Sequence, residues 1–83
     1  MKHESHPAIA KRLKRAEGHI RSIIAMIAEG RPCLDLAQQL HAVEKAVGNA
    51  KRELIHDHIG HCLEDGDHHH GSLNELKELT KYL

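Results

Sequence analysis

Ile9, Leu13, Ala16, Ile20, Ile23 and Ile27 recur at alternating spacings of four and three, which predicts a first amphipathic helix over about 7–29. Pro7 suits its first turn and Gly30 its stop. The same rhythm restarts after Pro32 as Leu36, Leu40, Val43, Val47, Ala50 and Leu54, and runs on through Ile55, Ile59 and Leu63 to Gly66. It predicts a second helix over about 32–65, with Asp35 favourably placed in the first turn. About thirty residues at 1.5 Å each make a rod on the order of 45 Å. That exceeds the diameter of a compact chain of this size, so its apolar face has to find another chain. Asp65 to Gly71, with His68, His69 and His70, reads as an exposed loop. Ser72 and Glu75 form a capping box that opens a short third helix over about 72–82, through Leu73, Leu76, Leu79 and Tyr82. No alternating β pattern and no internal repeat is present. The expected fold is all-α, a long helical hairpin plus a short C-terminal helix in a single domain over residues 1–83.

Composition sharpens this picture. At 83 residues the chain buries only a modest core, and oligomerisation is the readiest further source of stability. Phe and Trp are absent and Tyr82 is the one aromatic, so the apolar material is Ile, Leu, Val and Ala, which suits helix seams. The same absence argues against single-strand and RNA modules that stack bases on aromatic rings. No apolar run approaches the roughly 18 residues of a membrane span, and no secretion signal is visible, so a cytoplasmic protein is expected.

The formal net charge of zero hides a gradient. Lys2, Lys11, Arg12, Lys14, Arg15 and Arg21 outnumber Glu4 and Glu17 at the start, whereas Glu64, Asp65, Asp67, Glu75 and Glu78 outnumber Lys77 and Lys81 at the end. The basic end is a candidate for phosphate contacts.

In a reducing compartment Cys33 and Cys62 read as metal-binding or reactive thiols. His58 and Cys62 are four apart, on one face of the second helix, a spacing that lets two side chains bind one metal. Cys33 precedes His58 by about 37 Å of helix, so the three cannot meet within one chain. Two copies packed antiparallel about a twofold axis bring Cys33 of one chain beside His58 and Cys62 of the other, twice per dimer. Two thiolates and one imidazole suit Cu(I), whereas Ni(II) or Co(II) calls for more nitrogen or oxygen donors. His3, His6 and His61 are the accessory donors that keep those ions open, and His56 also flanks the motif.

Three segments together carry a family likeness: Arg12-Leu13-Lys14-Arg15-Ala16-Glu17-Gly18-His19-Ile20-Arg21, Arg31-Pro32-Cys33 and His58-Ile59-Gly60-His61-Cys62. In their combined spacing the chain resembles the copper-sensitive operon repressor family (CsoR/RcnR type) over nearly its whole length. The resemblance implies a three-helix protomer, an antiparallel homodimer and usually a dimer-of-dimers homotetramer. It implies Cu(I) ligands at Cys33, His58 and Cys62 and a supporting carboxylate at Glu78. It also implies that metal-free protein binds operator double-stranded DNA and that metal weakens this binding, releasing transcription of an efflux or detoxification gene. Two departures are Pro32, where a tyrosine is common, and His19, where many members have Gln. Nickel and cobalt sensors of the family recruit an N-terminal His and in many cases replace the second thiol by His.

With no helix-turn-helix signature, recognition is expected from a basic helical face with shape readout. Arg12, Lys14, Arg15, Lys51 and Arg52 are the expected DNA contacts, and Arg12 and Arg52 match basic positions implicated in the family. Competing readings are a copper storage or chaperone protein, which lacks operator preference, and a thiol-reactive sensor acting through Cys33. An enzyme is not expected, because a helical bundle this small offers little pocket for an activated thiol.

Overall fold

The computed structural model describes residues 6–65 and 73–83, with three helices: α1 (His6–Ala28), α2 (Cys33–Asp65) and α3 (Leu73–Thr80). The expected all-α protomer is what is observed, with helix ends within one or two residues of the periodicity. The loop histidines His68, His69 and His70 and the cap Ser72 lie outside the described residues.

The turn between α1 and α2 follows from three residues. Gly30 takes φ 76°, its amide donates to the Ile27 carbonyl at 3.1 Å, and the Arg31 amide donates to the Met26 carbonyl at 3.1 Å. These are the two bonds of a Schellman cap, which needs a left-handed residue at the position Gly30 fills. Pro32 cannot continue the helix and instead starts the next one, its carbonyl accepting from the Leu36 amide at 3.1 Å. It sits just before α2 rather than inside it, which makes Cys33 the first helical residue.

The hairpin closes on alternate members of the predicted stripes. Ile9, Ala16 and Ile23 of α1, spaced by seven, are buried with Val43 and Ala50 of α2, also seven apart; Ile55 is buried as well. The other members, Leu13, Ile20 and Ile27 with Leu40, Val47 and Leu54, repeat by seven too and remain 38–57% exposed. All of these but Ile27 line two shallow apolar grooves, one of about 650 Å³ bounded by Ile20, Leu40 and Val43, the other of about 180 Å³ bounded by Leu13, Val47 and Leu54.

The molecule is therefore a rod, 53 × 23 × 13 Å, with a radius of gyration of 16.9 Å where a compact chain of this length has about 12 Å. Its accessible surface is 6369 Å², against about 5,000 Å² for a compact monomer of this mass. No helix among the described residues is long and apolar enough to cross a membrane.

Candidate metal centre and nucleic-acid face

Cys33 is exposed at the hairpin tip, held there by the Gly30–Pro32 turn. His58 is half-buried toward the opposite end of α2, and its Nε2 donates a hydrogen bond to Glu75 Oε1 on α3 at 2.7 Å. Because a carboxylate only accepts, this contact puts a proton on Nε2 and fixes the orientation of the ring. Cys62 and His61 fall in the last turns of α2, one turn beyond His58, where only the helix is described. His6 opens α1, and His3 lies outside the described residues.

Among the described residues, no three His, Cys, Asp or Glu side chains of one chain form a metal-binding cluster. Cys33 and His58 thus occupy opposite ends of the rod, and an exposed thiol and an oriented imidazole are the donors available at those ends. Their chemistry fits a soft, thiophilic ion.

The family resemblance implies a supporting carboxylate at Glu78. In the structure Glu78 is exposed and takes Lys81 Nζ at 3.0 and 3.2 Å, while Glu75, one turn earlier, reaches His58. The capping-box reading had spent Glu75 on a helix start, and nothing local in the sequence pairs it with a histidine seventeen residues away.

The five basic residues expected at DNA are all exposed, but they do not share one face. Arg12 and Arg15 line an open groove of about 470 Å³ with Ala16, His19, Ala46 and Asn49. Arg52 is tied to that flank, because its Nη2 donates to Asn49 Oδ1 at 2.6 Å and its guanidinium lies over Gly48. Lys51 instead borders the apolar groove of Leu13, Val47 and Leu54. Lys14, two residues from inward-facing Ala16 at 100° each, points away from α2.

Two contacts between α1 and α2 had no signal in the sequence. Arg12 forms an ion pair with Glu53, and His19 Nε2 meets Gln39 Oε1 at 2.5 Å in a half-buried hydrogen bond. Both need the two helices in their final rotation before they can be seen.

Known proteins resemble this architecture in sequence and structure. A family model, metal-sensitive transcriptional repressor, matches residues 5–83. The copper-sensing transcriptional repressor CsoR of Bacillus subtilis is 42% identical over 57 residues, 69% of this chain and 56% of that protein. RicR, a copper-sensing transcriptional repressor of Mycobacterium tuberculosis, is 41% identical over 54 residues, 65% of this chain and 56% of its own length. The matches thus span just over half the length of these two relatives. Among solved structures, the nickel-responsive transcriptional regulator InrS superposes with a TM-score of 0.81 at 34% identity, covering 100% of this chain and 98% of that one. With its family model, its relatives and its three-helix structure in agreement, the chain belongs to the metal-sensitive transcriptional repressor family.

Proposed function

We propose that the chain is a metal-sensing repressor whose metal-free form holds operator DNA and whose metal-bound form lets it go, with the metal held across an antiparallel dimer by Cys33 of one chain and His58 and Cys62 of the other. The single observation that carries this reading is the placement of an exposed thiol at one end of the rod and a half-buried, oriented imidazole toward the other. Only a second, antiparallel chain brings such ends together, and the exposed seam of Leu13, Ile20, Ile27, Leu40, Val47 and Leu54 offers the surface on which it packs. Pairing of two dimers into a tetramer is the expected assembly.

A bound ion supplies one thing, a cross-link between the two chains that favours one relative arrangement of the rods. The protein's own residues convert this into a signal. His58, bonded to Glu75, links the site to α3, so the orientation of the ring and the position of α3 are coupled. The basic flank of Arg12, Arg15 and Arg52 sits on the same hairpin, and its spacing to the equivalent flank of the second chain follows the arrangement of the rods. A metal that prefers the arrangement poor for DNA weakens DNA binding, and DNA weakens metal binding by the same factor.

Cu(I) is the proposed ion, on the strength of two thiols and one imidazole and of the copper-sensing relatives. Ni(II) or Co(II) is the second reading. It is favoured by the likeness to the nickel-responsive InrS over the full chain and by the histidines His3, His6 and His61.

Anaerobic fluorescence anisotropy on a duplex selected by the metal-free chain tests the reading, with Cu(I), Ni(II), Co(II) and Zn(II) titrated separately. One ion is expected to release DNA at close to one per chain, and both Cys33→Ser and His58→Ala are expected to abolish that release while leaving metal-free DNA binding intact. Release that survives in His58→Ala would move the site elsewhere, and indifference to all four ions would remove metal from the mechanism.

A further inference from the structure

The groove of Arg12 and Arg15 has two unlike halves. α1 contributes the guanidinium groups of Arg12 and Arg15, while Ala16 and Ala46 keep the floor shallow and Asn49 stands on the α2 side. Asn49 Oδ1 already accepts from Arg52, which leaves its Nδ2 as the group with protons to give. Arg15 makes no ion pair among the described residues, but Arg12 is engaged by the carboxylate of Glu53, one turn after Asn49 on α2. A carboxylate and a phosphodiester both offer anionic oxygens to a guanidinium, so a phosphate that approaches Arg12 competes with Glu53 for Nη1.

We propose that this groove seats a backbone phosphate of duplex DNA and that Glu53 holds the place of that phosphate on Arg12 while DNA is absent. On binding, the Arg12–Glu53 pair opens, the phosphate takes the guanidinium, and Arg15 and the Asn49 amide supply further donors. The inference rests on the DNA-binding reading above and adds to it a residue of the opposite charge. Glu53 acts as a built-in competitor that lowers affinity for any duplex, whatever its sequence, because the seat reads backbone and not bases. The pair is partly exposed, with 54% and 35% of the two side chains accessible, so its strength is that of a surface ion pair, enough to tune binding without preventing it.

The test is anisotropy on the full, metal-free chain, with a labelled duplex selected from a randomised pool and a scrambled duplex of the same length. Glu53→Gln is expected to tighten binding to both by about two- to fivefold. In an Arg12→Ala background the gain from the same substitution is expected to fall to that of a general charge change, because the competitor then has no site to compete for. Glu53→Asp, which keeps the charge but shortens the arm, is expected to give a smaller gain and guards against a folding defect in the glutamine variant. Glu17→Gln removes one negative charge from a pair with Arg21 on α1 and serves as the charge control, with a smaller gain than Glu53→Gln. Unchanged or weaker binding by Glu53→Gln overturns the proposal, as does a gain that persists undiminished without Arg12 or that Glu17→Gln equals. If the unmodified chain binds duplex and releases it with metal while Glu53→Gln is neutral, the exchange alone fails. If the unmodified chain binds neither duplex, the DNA reading fails and takes the exchange with it.

Discussion

The hairpin carries two apolar seams with the same seven-residue repeat and opposite exposure. Ile9, Ala16, Ile23, Val43 and Ala50 are buried, whereas Leu13, Ile20, Ile27, Leu40, Val47 and Leu54 lie open, although both sets repeat by seven on the same two helices. The buried seam contains the small residues Ala16 and Ala50, which let α1 and α2 approach closely. The open seam has only large ones. A two-helix hairpin can cover only one stripe of each helix, so a helix with a wider apolar face keeps material for a second partner. The difference teaches that one seam makes the protomer, while the other is the surface on which the proposed second chain would pack.

Substitutions that act on one seam and spare the other break this comparison. The largest effect is expected from Ile23→Ala, which truncates a side chain only 2% exposed and is expected to cost on the order of 3–4 kcal/mol. Thermal melts followed by circular dichroism should show the midpoint falling at every protein concentration, while it still rises with concentration as in the unmodified chain. Val47→Glu comes next. It puts a charge in the middle of the open seam and is expected to weaken self-association on the order of a hundredfold, about 2.7 kcal/mol. Sedimentation should then find single chains, and the melting midpoint should lose its concentration dependence. If Val47→Glu instead behaves like Ile23→Ala, the two seams are not functionally distinct. The smallest effect is expected at the turn that sets the rotation of one helix against the other. Gly30 has open space around its α-carbon, so Gly30→Ala meets no clash and costs only the left-handed backbone conformation, about 1–2 kcal/mol in the same melts. A neutral result there would mean that the turn relaxes without moving the seams.

The candidate site was legible in unequal parts. Cys33, His58 and Cys62 stand out because thiols are scarce, because i and i+4 share a helix face, and because a long helix separates the first thiol from the others. Glu75 did not stand out, since its bond to His58 depends on where α3 lies and a capping role explained it equally well. The same limit applied to the basic face. Arg12, Arg15 and Arg52 fall on one flank and Lys51 on the other, although Lys51 and Arg52 are neighbours in the chain, because adjacent residues on a helix stand 100° apart.

By itself the sequence determined the three helices, the turn at Gly30 and Pro32, and the kinds of donor atoms available, because helical hydrogen bonds and caps join residues within about five positions of one another. Only the tertiary structure decided which apolar seam closed, which carboxylate met His58, and that Glu53 occupies Arg12. Those outcomes depend on how far each helix turns about its own axis when the seams compete for burial. That rotation is a property of the packed pair, and no single segment carries it.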